Sequence, residues 1–277
     1  RGARNSSPTM SCLAWDQASD RTIFIGHTDG KLTRMNVETQ DMCINPSVSK
    51  SHPRIVTLAC KGKLLVCSLS TVDTYADVLP EGLLVLLDSK TLEEQARLPM
   101  QSKRSIGCSF HFNHNTTLLV VGCVDGMIQI YDVRSKTHIM GWPAHKSKIC
   151  LAKFSNDETT VFSSSVDSKL MRWNAHHLVM PVTQTMTRAI DVDFIGEYPR
   201  ALDFAFDNDD EFVLRNCSPS GINEAGEACI FQLRHSQDTE HYTPVLTLQG
   251  HEQAITCLDW CATSNTCFTG SKDGTVN

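Results

Sequence analysis

Three side chains that together could carry out nucleophilic catalysis lie near one another in the sequence, at His145, Ser163 and Asp167. In hydrolases with such a triad, the serine attacks, the histidine takes its proton and the aspartate orients the histidine. The same arrangement recurs with equal spacing at His251, Thr269 and Asp273. An active site is needed once, whereas a structural unit can repeat. The repetition therefore favours a structural role, and we expect no catalytic residue and no enzyme activity.

The structural alternative is a buried chain of hydrogen bonds. Trp173 follows the first set, and an indole N–H can extend such a chain. A hydrogen-bonded network satisfies polar groups that would be costly to bury alone. These residue types resemble the buried hydrogen-bonded chain of WD repeats, and the resemblance implies one network of His145, Ser163, Asp167 and Trp173 and another formed by the second set.

Metal and phosphate chemistry find little support. Cys257 and Cys261 are close in sequence, but no second cysteine pair has the spacing of a zinc finger. No glycine-rich stretch carries the lysine that a phosphate-binding loop needs. Most of the twelve cysteines lie inside apolar runs, which is typical of small buried side chains in a reducing compartment. We expect no metal, no cofactor and a cytoplasmic location.

Composition narrows the classes of partner. The 277 residues are 41% hydrophobic and carry a formal net charge of −6. No cluster of lysine and arginine stands out, which argues against nucleic acid as a partner. No apolar run approaches the roughly 20 residues that cross a bilayer, so we expect no transmembrane segment.

Short apolar or alternating runs recur along the chain and predict strands. The first strand of each unit, strand a, is predicted at Met10–Trp15, 55–60, 106–112, Ile149–Phe154, 201–206 and 255–260. A second strand, b, follows each of them, and a tight turn leads into strand c. Three of these turns are Asp-Gly, a pair that tolerates positive φ. Strand c ends on a bulky residue, at Met35, Leu87, Tyr131, Trp173 and Phe231.

The spacing of these units indicates the architecture. Strands a begin near residues 10, 55, 106, 149, 201 and 255, and a His precedes two of them. Four strands per unit at about this period is typical of the WD repeat. We therefore predict an all-β fold, a WD-repeat β-propeller with six recognisable blades, the last of them truncated. Residues 1–277 would form a single propeller domain, incomplete at both ends and part of a seven-bladed ring.

Three insertions are predicted to emerge on the face formed by the b–c and d–a connections, at residues 69–81, 188–199 and 219–227. Insertions clustered on one face of a repeat fold often mark the binding face. The candidate partner-binding residues are Asp73, Tyr75, Asp77, Glu81, Asp191, Asp193, Glu197, Tyr198, Glu224 and Glu227. Acids with aromatic anchors suit a basic protein partner. The alternative is that these insertions are solvated and bind nothing.

The opposite face has one motif of interest, the Tyr-Asp-Val-Arg sequence that contains Asp132 and Arg134. It resembles the signature with which some propellers dock a cullin–ubiquitin-ligase adaptor, and Arg134 would be the contact. The alternative is ordinary, because Asp and Arg are common after strand c.

Several stretches, in the same order, resemble the propeller of the WD repeat-containing protein 91 family. They are PRIVTLAC near residue 55, FNHN followed by LLV and DG near residue 115, the run from Ala144 to the DE and TV near residue 160, and GH followed by DW near residue 255. The resemblance covers nearly the whole chain. It implies a protein-interaction scaffold in early-to-late endosome conversion, peripheral on early and late endosome membranes. It also implies three partners: a late-endosomal Rab GTPase, subunits of class III phosphatidylinositol 3-kinase, which the family restrains, and a second WD-repeat protein.

Overall fold

A computed structural model describes residues 9–277 apart from 17, 20, 72–79, 168, 175–187, 193–203, 207–211, 218–225, 233–244, 262, 263 and 265. At 170, 174, 188–192, 204–206, 212–217, 231 and 232 it describes the backbone only. The chain forms two compact units, Arg1–Gly141 and Trp142–Asn277.

The first unit contains antiparallel sheets of four strands that pair in chain order. Sheet 1 has β1 Met10–Trp15, β2 Thr22–His27, β3 Leu32–Asn36 and β4 Met42–Asn45. Sheet 2 has β5 Arg54–Lys61, β6 Leu64–Ser70, β7 Gly82–Asp88 and β8 Glu94–Leu98. Sheet 3 has β9 Gly107–Phe112, β10 Leu118–Cys123, β11 Met127–Asp132 and β12 Thr137–Pro143, of which the last two residues are counted with the second unit.

The second unit repeats the pattern. Sheet 4 has β13 Ile149–Phe154, β14 Thr160–Ser165, β15 Leu170–Asn174 and β16 Arg188–Val192. Sheet 5 has β17 Phe204–Phe206, β18 Phe212–Cys217, β19 Gly226–Gln232 and β20 Leu246–His251. Sheet 6 has β21 Ile255–Cys261 and β22 Thr266–Ser271. After β22, Asn277 exchanges N–H···O bonds of 2.9 and 3.0 Å with Thr269. The predicted all-β architecture, built from repeated antiparallel sheets, is confirmed.

The apolar runs form strands because both faces of an inner sheet are buried. In β6, Leu65 and Cys67 pack with Phe24 and Leu32 of sheet 1. Val66, which lies between them, packs with the cluster of sheet 3. Neighbouring strand residues point to opposite faces, so a strand with a sheet on each side needs apolar residues throughout. Each such side chain contributes about 1.5–3 kcal/mol when fully buried.

The predicted bulky position at the end of strand c is the same structural position in every complete sheet. Each of these residues pairs with the second residue of strand b. The pairs are Ile23–Met35, Leu65–Leu87, Leu119–Tyr131, Val161–Trp173 and Val213–Phe231. Residues as different as Met and Trp therefore fill one site of the repeat.

Two predicted connections are shorter than expected. The b–c connection expected at residues 69–81 loses its first two residues to β6, because Ser70 pairs with Gly82. Leu69 is fully buried in that strand. The connection expected at 219–227 ends before β19, and Glu227 pairs with Cys217 inside the ladder.

The prediction of an insertion at residues 188–199 was wrong for its first five residues. Arg188–Val192 is β16, the fourth strand of sheet 4, and Asp191 pairs with Met171 of β15. Fourth strands have weak sequence signals because they are the exposed outer strands of their sheets. In β4, for example, no side chain is fully buried.

Candidate functional site

The residues that resemble a catalytic triad are held in a buried chain of hydrogen bonds in sheet 4. His145 Nδ1 lies 3.1 Å from Asp167 Oδ1, and Nε2 lies 2.8 Å from Ser163 Oγ. The Trp173 indole donates to the same Ser163 Oγ at 2.9 Å. The carboxylate can only accept, so Nδ1 carries the proton and the Ser163 hydroxyl donates to Nε2. Each donor and acceptor of this hydrogen-bond network therefore has a partner.

Burial decides what this chain can do. Ser163 is 0% exposed, so a substrate cannot reach its hydroxyl. Burial also lowers the pKa of the His145 imidazole, an effect that the Asp167 carboxylate partly opposes. Asp167 further accepts the backbone N–H groups of Lys146 and Lys169, each at 3.1 Å. The carboxylate therefore joins the turn after β14 to the segment before β13.

A second copy of this arrangement joins His251, the last residue of β20, to β22 and the turn after it. His251 Nδ1 lies 3.1 Å from Asp273 Oδ2, and Nε2 lies 2.8 Å from Thr269 Oγ1. Hydrogen bonds from the Thr275 side chain and then from backbone N–H groups hold the pKa of Asp273 well below its usual range. The carboxylate also accepts the Glu252 N–H at 2.9 Å, as Asp167 accepts that of Lys146.

Sheet 3 replaces this network by a different one, which the sequence reasoning did not identify. The Tyr131 hydroxyl lies 2.6 Å from Gln129 Oε1 and 3.1 Å from the Pro99 carbonyl oxygen. Gln129 is 0% exposed. Its Oε1 also accepts the Gln101 N–H at 3.3 Å. A Gln two residues before the bulky strand-c position, on the same face, is the signal that could have revealed it.

The candidate partner-binding residues divide into two groups. Asp73, Tyr75, Asp77, Asp193, Glu197, Tyr198 and Glu224 lie outside the described residues. Of the others, Glu81 is exposed at the end of the b–c connection of sheet 2. Asp191 and Glu227 lie in strands, and Gln249 of β20 donates to Glu227 Oε1 at 2.7 Å.

Hydrogen bonds fix both ends of the long connection in sheet 2. Thr71 N–H donates to the Glu81 carbonyl oxygen at 3.0 Å, and Glu81 N–H donates to Thr71 Oγ1 at 2.8 Å. Gly82 N–H then donates 2.7 Å to the carbonyl oxygen of Lys103, in the segment between β8 and β9. A Cβ on Gly82 would collide with the Ser105 carbonyl oxygen. The close approach of these two segments therefore requires glycine.

The Asp132–Arg134 motif occupies a turn that recurs in the first unit. Asp132 Oδ1 accepts the N–H groups of Arg134 and Ser135 at 2.8 and 3.0 Å. Asn36 and Asp88 accept the same pair of N–H groups in sheets 1 and 2. These hydrogen bonds are the main cause of the lowered pKa of Asp132. Asp132 therefore has a structural role, whereas the Arg134 side chain is exposed.

Neither a metal centre nor a membrane helix is found in the part of the chain that the structure describes. Within it, no three His, Cys, Asp or Glu residues are grouped as metal ligands would be. No described segment forms a helix of the length and apolarity that crossing a bilayer would require.

Two family models match parts of the chain. One is the WD domain, G-beta repeat, over residues 242–277, and the other is the anaphase-promoting complex subunit 4 WD40 domain, over residues 96–175. The β-propeller domain of Myceliophteria thermophila Cps50 (Swd1) covers 96% of this chain with a TM-score of 0.68 at 12% identity. The match extends over 81% of that chain. With the sheets described above, these likenesses establish the WD-repeat propeller fold.

Curated relatives confirm the resemblance that the sequence motifs indicated. WD repeat-containing protein 91 of Pongo abelii is 30% identical over 98% of this chain, and that of Danio rerio is 29% identical over 98%. The homolog of Dictyostelium discoideum is 28% identical over 96%. The chain spans 41%, 39% and 32% of these relatives, respectively.

Proposed function

We propose that this WD-repeat β-propeller, similar throughout its length to WD repeat-containing protein 91, is a non-catalytic scaffold that binds other proteins. One observation carries the proposal. The side chains that resemble a catalytic triad form structural hydrogen bonds. In two places in the repeat, and in the same register, they join the turn after strand b to the segment before strand a. These polar side chains therefore stabilise the fold, and the connections between strands are the parts proposed to contact other proteins.

The face of the b–c and d–a connections is the proposed partner-binding surface. Its support is the b–c connection of sheet 2, whose two ends are anchored to each other and to the segment before β9. A long connection on a rigid base presents side chains at a lower entropic cost than a free loop does. The ten candidate residues predicted from the sequence belong to this proposal.

The finer assignment follows the resemblance. The partners proposed are a late-endosomal Rab GTPase, class III phosphatidylinositol 3-kinase subunits and a second WD-repeat protein. The protein would be cytoplasmic and peripheral on early and late endosomes, where it restrains the lipid kinase. A single domain over residues 1–277 in a seven-bladed ring is proposed on the same basis.

A co-purification experiment from cells tests this function. In one variant, a Gly-Ser linker replaces residues 72–79 and keeps Thr71 and Glu81, so that the hydrogen bonds at the base are preserved. We expect the Rab GTPase or the kinase subunits to be recovered with the parent chain and lost with this variant. Unchanged recovery would show that the long connection is not the binding element.

A second candidate function is that of substrate receptor for a cullin–RING ubiquitin ligase. It is favoured by Arg134, which is exposed beside a turn that Asp132 keeps rigid. Recovery of the ligase adaptor that is lost in Arg134→Ala and kept in Lys136→Ala would support this function. Lys136 is a suitable control because it is a cation of the same turn. Equal recovery with both variants would exclude Arg134 as the contact.

A further inference from the structure

The tertiary structure gathers cations that the sequence keeps apart. Arg54 begins β5, whereas Lys103 and Arg104 lie between β8 and β9. Arg54 pairs with Ser70, Ser70 pairs with Gly82, and Gly82 donates its N–H to the Lys103 carbonyl oxygen at 2.7 Å. Residues that are widely separated in the chain therefore follow one another along a single edge of the first unit.

Lys50 extends this edge on the other side. It belongs to the segment between β4 and β5, which closes against the turn of sheet 1 through the Val48 N–H and the Gly30 carbonyl oxygen at 3.1 Å. The Glu81 carboxylate acts electrostatically on His52 of the same segment, so this segment and the base of the long connection are neighbours. We call Lys50, Arg54, Lys103 and Arg104 the basic edge.

All four side chains of the basic edge are exposed. The carboxylates beside them differ in how they are used. Asp29 accepts the Lys31 N–H, and Asp125 accepts the Met127 N–H and the Ser105 hydroxyl. These two carboxylates are held in place by the hydrogen bonds they accept in their turns. The four cations of the basic edge outnumber the three described acids beside them, Asp29, Glu81 and Asp125.

We propose that the basic edge docks an extended acidic segment of a protein partner. This rests on the proposed scaffold function and specifies the chemistry of one partner at the same face. Three successive steps of about 4.8 Å separate the backbone of Arg54 from that of Lys103, which is on the order of 14 Å. Alternate side chains of an extended peptide lie about 7 Å apart, so acids at three alternate positions span the same length.

The charge expected of this partner is opposite to the charge that the acidic insertions suggest. Those insertions suit a basic partner, whereas the basic edge suits an acidic one. Patches of opposite sign on one face fix the orientation of a partner, because reversed docking places like charges together. A partner with a single acidic stretch beside a basic region would match both.

The test is fluorescence anisotropy with a labelled peptide of four Glu-Ser repeats and a matched peptide of four Gln-Ser repeats. We expect the Glu-Ser peptide to bind and the Gln-Ser peptide not to bind. Binding should weaken when NaCl is raised from about 50 to about 200 mM, because exposed charges are screened. The double variant Lys103→Glu/Arg104→Glu should raise the dissociation constant about tenfold or more, as expected when two charge contacts are reversed.

The matched control is Lys63→Glu/Lys90→Glu, which makes the same change of net charge on exposed residues at the opposite edge of the same unit. It should change the dissociation constant by no more than about threefold, because it acts only at long range. Equal weakening by both double variants would overturn the proposal, as would binding of the Gln-Ser peptide or no binding at low salt. Binding to phosphatidylcholine vesicles with about one fifth phosphatidylserine, but not to the peptide, would assign the edge to a membrane instead.

The two proposals fail separately. Co-purification with the linker variant of residues 72–79 tests the scaffold function and leaves the basic edge intact. Urea unfolding of both double variants shows whether each is folded, so a loss of binding can be assigned to charge. If protein partners still co-purify but the Glu-Ser peptide binds no better than the Gln-Ser peptide, the basic-edge proposal is rejected and the scaffold function stands.

Discussion

Asp167 offers the most direct measure of what the buried network contributes. In Asp167→Ala, the His145 Nδ1–H loses its acceptor in a site where the histidine side chain is fully buried. The backbone N–H groups of Lys146 and Lys169 also lose their acceptor. Lys146 is exposed and Lys169 is half-buried, so water can replace the lost carboxylate. One buried unsatisfied donor costs about 1–3 kcal/mol, so the free energy of unfolding should fall by that amount.

Equilibrium urea unfolding followed by tryptophan fluorescence measures this change, because Trp142 and Trp173 stack edge to face in this region. The control is Asp29→Ala in the equivalent turn of sheet 1, where, among the described residues, the Asp29 carboxylate accepts only the Lys31 N–H at an exposed position. It should lie within about 0.5 kcal/mol of the parent chain. If Asp167→Ala and Asp29→Ala lose equal stability, Asp167 is an ordinary turn residue and the network argument is refuted.

Two further predictions concern protonation and the network of sheet 3. Burial lowers the pKa of His145, so its contribution to stability is full above about pH 6.5 and is lost as pH falls toward the lowered folded-state value. Urea unfolding at pH 7.5 and 5.5 should therefore show a smaller acid loss for His145→Gln than for the parent chain, and equal losses would contradict this. Tyr131→Phe removes a hydroxyl bonded to fully buried Gln129 and should cost about 1–2 kcal/mol in urea unfolding. A cost near zero would mean that the Gln101 N–H alone satisfies Gln129 Oε1.

The predicted strands were accurate where burial imposes alternation. Ile149–Phe154 has the bounds that the sequence indicated, because its apolar residues follow a regular pattern. Residues 188–192 were assigned to a connection, yet they form β16. An outer strand is half exposed and its pairing depends on a neighbour formed elsewhere in the chain, so local pattern does not reveal it.

The candidate sites divide in a similar way. The match of His145, Ser163 and Asp167 to the WD-repeat pattern, together with its recurrence at His251, predicted the hydrogen-bonded networks. The network of Tyr131 and Gln129 was missed, because the Pro99 carbonyl oxygen, which also lies within hydrogen-bond distance of the Tyr131 hydroxyl, is brought there only by the packing of the segment between β8 and β9.

The sequence by itself determined the repeat, since hydrophobic periodicity, Asp-Gly turns and recurring polar residues are local properties of the chain. Only the tertiary structure decided which charges share a surface. Lys103 and Arg104 reach Arg54 through strand pairing and the hydrogen bond from Gly82, and no spacing in the chain encodes that neighbourhood. The physical reason is that side-chain alternation is set within a strand, whereas the order of strands across a sheet is set by the packing of the whole sheet.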